Sequence, residues 1–486
     1  MPAIESILYE NRPCNTLPDL WHALYNSYNS AINRPVDTRF LNEIPQVTSI
    51  KWLAFSKQEF RDAIAKCSSS SALGPDHISW RHLKTLFSSN LCLEKIVNVA
   101  DACINLEFWP SHFKVANTVI IPKPNKESYS TPKFFCSIVL LNTTGKLIEK
   151  VISNWLQFHM VDNGFLDPNQ LGGIRQWSTT NAGIYLTHLI WAGWLKQCHT
   201  SIIAFDIVQF FPFLNHSFLS TCLKKAGLNT NVMSFFDSYH TGHSISYSWN
   251  QFSSPYFNIN IGVGQGSALS PILPAIYLAP IIKTFKKRIK NLKESIPTDI
   301  LSFVDDGLLI SQEKSYALFS SFLLCSYNIM SKILLDSGLI IEHSKTELFC
   351  FTRAHHFPNP SIDLSSVGGP VISPKPIWTT NSIFTTICTT MWLSASPPSV
   401  PWRCLGTPHE VFSLFKNDSY IGPVSCPLPC MDSNCGSSKG PYYQEHDRAK
   451  ENAVKSSPLD YRCFLNFTIW RYWGYCRPHP HHATLM

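Results

Sequence analysis

An α+β fold is what this 486-residue sequence predicts, and three observations carry the prediction. Residues 1–110 read as helical, as in "SKQEFRDAIAKC", where Ser56 is an N-cap with Glu59 three residues on and Phe60, Ala63 and Ile64 share one face. From 111 to 376, strand-like runs ("KVANTVIIP", "SIIAFDIVQFF", "ISYSWNQFSSPYFNINIGV", "LSFVDDGLLI") alternate with helical stretches such as "TTNAGIYLTHLIWAGWLKQC". Residues 377–486 turn to Pro, Thr, Ser and Cys without a period, and poor order is expected there. At about 150 residues per domain the length allows two or three units.

Composition narrows the function classes. The 40 Lys and Arg against 33 Asp and Glu leave a net charge of +7, which permits a polyanionic partner without demanding one. The 16 cysteines lack regular spacing and no charged segment followed by an apolar core opens the chain, so reduced, buried thiols are expected, with no secretion. The longest apolar stretch, "LSPILPAIYLAPII" from Leu269, is broken by prolines and falls short of the ~20 residues a membrane-spanning helix needs. The expectation is an intracellular protein of nucleus or cytoplasm, with no recognised targeting signal and no membrane partner.

Acidic residues raise the chemical question. Asp206 is the only charged residue from Ser201 through Asn215, at the end of an apolar run that reads as a central strand. By itself it is either functional or a turn former. Asp305 and Asp306 lie side by side between two apolar runs that read as a hairpin, and Asp306 followed by Gly307 is a strong turn signal, so a plain hairpin tip is an equal reading. Taken together, three carboxylates from two strands would form a site for two hard divalent cations, since Mg²⁺ prefers a few carboxylates plus water and substrate phosphates. Between them lies "GVGQGSALSPIL", Gly262 to Leu273, whose glycines allow close backbone approach and whose Gln265 offers a donor and an acceptor to a nucleotide or template.

In this order the three segments resemble the palm of reverse transcriptases, most closely those of non-LTR (LINE-type) retrotransposons. The resemblance continues through "SSALGPDHISWRHLK" from Ser70, "VIIPKPNK" from Val119, "LLNTTGKLIEKVI" from Leu140 and "NQLGGIRQWSTTNA" from Asn169, and downstream through "GLIIEHSKTELF" from Gly338. It covers about residues 50–376. It implies a right-hand fold of fingers and palm, and an RNA-directed DNA polymerase that extends a DNA primer on an RNA template with deoxynucleoside triphosphates. The cofactor implied is Mg²⁺, with Mn²⁺ as the alternative. By resemblance Asp206 and Asp305 hold the metals, with Asp306 beside them, and Lys345 is the acid that protonates pyrophosphate, against the reading of a surface ion pair with Glu347 or Glu342. Phe211 closes off the 2′ side of the sugar or else is core. Lys123 and Arg175 contact the triphosphate or template, and Gln265 and Gly266 line the nucleotide and template site.

Departures from the family pattern imply weak catalysis. Cys136 and Ser137 stand where Arg-Pro is usual, Trp177 where a second Arg is usual, and Asn181 where Asp is common. The aromatic-Leu-Gly turn of the primer-holding hairpin is missing near Thr379, and the resemblance stops at about Trp378. A truncated or degenerate element copy is expected, and the alternative function is a weak or inactive remnant that binds nucleic acid or has no function. Cys426, Cys430, Cys435, Cys463, Cys476, His479, His481 and His482 lack the tight Cys-x-x-Cys pairs of zinc sites, so isolated side chains in a tail are the expectation.

Overall fold

Two five-stranded sheets organise the chain, and the reason is visible in which residues each strand buries. The structure is a computed structural model that describes residues 7–123, 128–175, 177–292, 298–352 and 361–377. The central sheet has the spatial order Pro374–Ile377, Glu347–Phe351, His199–Asp206, Asp306–Glu313, Thr298–Phe303. All its neighbours are antiparallel except the pair Glu347–Phe351 and Pro374–Ile377. Strand His199–Asp206 reads as a nearly continuous apolar run because both of its faces are covered. Ile202 and Ala204 pack with Phe303, Leu308 and Phe349 under the helix Thr179–Leu195, through Ala182, Leu186 and Ile190. Ile203 and Phe205 belong to the main core with Leu323, Tyr327 and Ile333 of the helix Tyr316–Asp336.

The second sheet has the order Phe135–Leu141, Val115–Pro122, His243–Trp249, Phe252–Ser253, with Phe257–Ile259 also paired to His243–Trp249. One face packs on the helix Leu17–Asn29: Trp21, Leu24 and Tyr28 meet Ile120, Phe135, Tyr247 and Trp249. The helices Lys57–Ala65 and Asn90–Asn105 join the helix Thr143–Asp162 in the main core. The N-cap read at Ser56 is present as a full capping box with Glu59, and Phe60, Ala63 and Ile64 are buried. Asn181, standing where an Asp is common, fills the same role with Ser178: its Oδ1 accepts from the Ser178 backbone N–H at 2.9 Å, which needs no charge.

Two expectations are corrected. The prolines after Leu269 do not break the chain: one helix runs Ile272–Lys290 with Pro280 inside it, because burial of both sides of that turn outweighs the single lost hydrogen bond. Among the described residues no helix is long and apolar enough to cross a membrane. The turn signal at Asp306-Gly307 is also misplaced, since Asp306 and Gly307 are already in the strand, paired with Phe303 and Ser302. A Cβ on Gly307 would stand 2.1 Å from the Phe205 ring, so glycine is required there by packing and not by a turn. Among the described residues nine cysteines are free thiols and five of these, Cys14, Cys67, Cys103, Cys222 and Cys350, are buried. Trp378, Thr379 and the Cys and His residues from 426 to 482 lie outside the described residues.

Candidate active site

The acidic residues meet at one end of the central sheet. Strand register places Asp206 directly opposite Asp306, and the hairpin between Phe303 and Asp306 turns on just two residues, Val304 and Asp305. Val304 has φ +58°, a left-handed conformation that a β-branched side chain rarely adopts and that the surrounding structure must hold. The Asn169–Gly173 segment does part of this. Ser302 N–H donates to Asn169 O and Leu171 N–H to Ser302 O, both at 2.9 Å. A Cβ on Gly172 would lie 2.3 Å from Val304 N, so the glycine lets this strap press against the turn. Gly173, at φ +75°, meets Pro271 O on its other side. The resemblance took "NQLGGIRQWSTTNA" as a finger motif and assigned no role to its first half; the adjacent glycines were the signal for this positioning role.

A second segment fixes the other side of Asp206. Ile207 N–H donates to Asp305 O at 3.2 Å, Val208 N–H to Ile340 O at 2.9 Å, and Glu342 N–H to Asp206 O at 2.8 Å. The chain from Gly338 therefore runs alongside Asp206 and delivers Lys345, whose Nζ forms an ion pair with Asp206 Oδ2. Tyr327 OH holds the intervening turn through His343 Nδ1 (2.8 Å) and Thr346 Oγ1 (3.0 Å). The surface pairing of Lys345 with Glu347 or Glu342 is not what forms: Glu347 pairs with Lys375 at 2.6 Å, and Glu342 accepts from Ser344.

The charges at this end of the sheet are unbalanced. Burial and then the neighbouring Asp206 push the Asp305 carboxyl up to about 7, with Lys345 and Lys123 pulling the other way. Burial would depress the Lys345 ammonium, yet the Asp206 carboxylate outweighs it and holds Lys345 above its ordinary value. Lys123 thus acts on the aspartate cluster from the end of the strand Val115–Pro122. Cys136, opposite Ile121 on the next strand, has its thiol pushed up by burial against that same Lys123 charge. Arg175 lies elsewhere: it is exposed, its guanidinium donates to Asn154 Oδ1, and it is not among the charges acting on Asp305.

Phe211 follows Asp206 in the short helix Phe210–Phe213, entered through Gln209 at φ +44°. Phe210 and Phe213 are buried core residues while Phe211 is only half-buried, so the core reading fits its neighbours and not Phe211 itself. Val263 N–H donates to Phe211 O and Gly262 N–H to Leu214 O, both at 2.9 Å, which ties the Gly-rich segment to this helix. At the other end of that segment Gln265 is exposed, its carbonyl accepts from Val139 N–H at 2.9 Å, and a Cβ on Gly266 (φ +135°) would lie 2.2 Å from Val139 O. The segment from 262 to 266 therefore bridges the Asp206 strand's exit and the second sheet. Trp177, where an Arg is usual, packs partly buried against both the main core and the cluster under the helix Thr179–Leu195.

One buried acid was not foreseen. Glu149, 1% exposed, accepts from Ser267 Oγ (2.7 Å) and Ala268 N–H (2.9 Å) on one oxygen and from Tyr239 OH (3.1 Å) on the other. Burial pushes its carboxyl up against the pull of these donors. It anchors "GSALSP" to two helices. Its signal in the sequence was position alone, an acid on the buried side of "LIEKVI".

Comparison with known proteins bears directly on this geometry. The profile described as "Reverse transcriptase (RNA-dependent DNA polymerase)" matches residues 121–407. Among curated proteins, the chain is 27% identical over 249 residues to the probable RNA-directed DNA polymerase from transposon BS of Drosophila melanogaster, covering 49% of this chain and 26% of that protein. It is 24% identical over 267 residues to the retrovirus-related Pol polyprotein from the type-2 retrotransposable element R2DM of the same organism, covering 54% and 24%. The match thus spans about a quarter of the length of these relatives. A solved structure of apo telomerase from Candida tropicalis, truncated from its C-terminal domain, superposes with TM-score 0.38 at 14% identity over 52% of each chain, too slight a likeness to build on.

Proposed function

The chain belongs to the reverse transcriptase family, and from that premise we propose that it extends a DNA primer 3′-hydroxyl on an RNA template with deoxynucleoside triphosphates, using divalent cations held at Asp206 and Asp305. The observation that carries the proposal is the meeting of these two carboxylates at adjoining strand ends, with a lysine already paired to one of them. The charge balance at these carboxylates fits a hard cation. The Asp305 carboxyl is raised first by burial and then by the neighbouring Asp206 charge, which Lys345 and Lys123 offset only in part, and carboxylate oxygens suit Mg²⁺ or Mn²⁺. Among the described residues no three His, Cys, Asp or Glu side chains form a metal cage, so two carboxylates would share the cations with water and the substrate's phosphates, the usual arrangement for Mg²⁺.

Divalent cations bound there supply the charge that activates the primer hydroxyl and neutralises the triphosphate and the departing pyrophosphate. The chain's own residues do the rest. Lys345, paired with Asp206, would turn its protonated Nζ toward the pyrophosphate and give it that proton. Asp306, opposite Asp206, adds negative charge that favours the cations. Phe211 presents its half-exposed ring to the 2′ side of the incoming sugar, where a hydroxyl would clash. Lys123 binds the triphosphate by charge-assisted hydrogen bonds, Gln265 and Gly266 line the nucleotide and template, and Arg175 meets template away from the aspartates. Primer extension on an RNA template, with Asp305→Asn in parallel, tests this reading. Nucleotide-dependent extension that falls by roughly a hundredfold or more in the variant is expected, the loss of charge stabilisation being worth several kcal/mol. Equal extension by both proteins would remove Asp305 from the chemistry.

A further inference from the structure

Behind the Gly262–Gln265 segment, between it and the second sheet, lies a cavity of about 90 Å³. No Asp, Glu, Lys or Arg side chain contributes to its wall. Six rings do: Tyr28, His216, Tyr239, His240, His243 and Tyr247. The imidazoles are neutral, since burial depresses all three, His243 to about 4. His216 and His240 stack with ring centroids 4.7 Å apart, and His216 Nε2–H donates to Gly262 O at 2.7 Å, which makes it part of the wall and not a free base. The polar atoms that remain are the informative ones. His240 Nε2, Thr118 Oγ1 and the Tyr247 hydroxyl are buried and have no hydrogen-bond partner, in residues 5%, 1% and 0% exposed. Buried polar atoms are nearly always paired, so three orphans lining one cavity call for an occupant that pairs with them, and a hydroxyl and an imidazole among them offer a ring two hydrogen bonds.

We propose that this cavity is a binding site for a small uncharged heteroaromatic ring, held by hydrogen bonds to His240 Nε2 and Thr118 Oγ1 and by ring contacts with the aromatic wall. A phosphate or carboxylate would meet no cation there, and a saturated hydrocarbon would leave both polar atoms unpaired. A ring with one N–H and one bare nitrogen satisfies a hydroxyl and an imidazole together, while its faces suit rings on the wall. The site is separate from the aspartates and the inference does not depend on the polymerase reading, because its test is binding.

The probe is pyrazole, uncharged at neutral pH, titrated into the full chain and followed by saturation-transfer NMR. Saturable binding is expected. Thr118→Val keeps the side chain's shape and removes the orphan hydroxyl, so affinity should fall roughly five- to tenfold while thermal stability holds or rises. His240→Phe keeps a ring in the wall and should weaken pyrazole by a similar factor. Failure of the folded chain to bind pyrazole, or unchanged affinity in both variants, would overturn the proposal and leave the cavity to water.

Discussion

Asp305→Asn should stabilise the metal-free protein at the same time as it abolishes extension. Raising the Asp305 carboxyl from 3.8 to about 7 costs the folded state on the order of 4 kcal/mol, at about 1.4 kcal/mol per tenfold step. The folded chain binds this proton more tightly than the unfolded one, so the penalty is absent below pH 3.8, grows through the interval and is complete above about 7. It amounts to roughly 2 kcal/mol at pH 5 and roughly 4 at pH 8 by that linkage, and water reaching the half-buried side chain makes these upper values. Asparagine carries no charge at either pH and is close in shape. Urea denaturation in EDTA, at pH 5 and pH 8, reads the difference directly: the variant's advantage should be larger at pH 8. An equal or smaller gain at pH 8 would mean that Lys345 and Lys123 already compensate Asp305, and the charge argument for a cation site would fail with it.

The other expectations rest on separate contacts. Phe211→Ala should admit ribonucleotides with little loss of deoxynucleotide use, read as the ratio of incorporation rates; an unchanged ratio would return the ring to a packing role. Glu149→Ala should cost about 3 kcal/mol or more in urea denaturation, because Ser267, Ala268 N–H and Tyr239 lose their acceptor inside the core. Extension by the natural chain should be weak and partly rescued by Cys136→Arg with Ser137→Pro, compared as rates at matched folded concentration. Val139 N–H points off the sheet to Gln265 O, so Ser137 two residues away also turns its N–H outward and proline costs no ladder bond, while an arginine at 136 would stand beside Lys123. Robust extension without the change would show that Lys123 alone supplies the phosphate contact.

What the sequence made legible was whatever a short stretch decides for itself. Asp206 ends an apolar strand, "FVDD" lies at a hairpin, and Lys345 follows at a motif's distance, so each could be singled out from its neighbours in the chain. The capping box at Ser56 is local in the same sense. The errors came where a distant residue overrides a local rule. Asp306-Gly307 has the composition of a turn, but Phe205, about a hundred positions earlier, needs the space of the missing side chain, and the turn moves to a valine that local preference would exclude. Pro280 should stop a helix, and the core around Ile272–Lys290 carries the helix through. Glu149 and Ser267 lie 118 residues apart, so nothing near Glu149 announces its partner. The same distinction explains why Asp206 could not be read from the sequence as the partner of Lys345, for which only Glu342 and Glu347 were offered as the alternative. Glu342 and Glu347 are near in sequence, whereas Asp206, 139 positions away, is delivered by the antiparallel run of Ile340–Glu342 beside the strand end. Pairing by sheet register therefore puts the lysine's charge beside Asp206 and leaves Asp305, pushed up by burial and by Asp206 with Lys345 and Lys123 pulling the other way, as the less compensated acid of that pair.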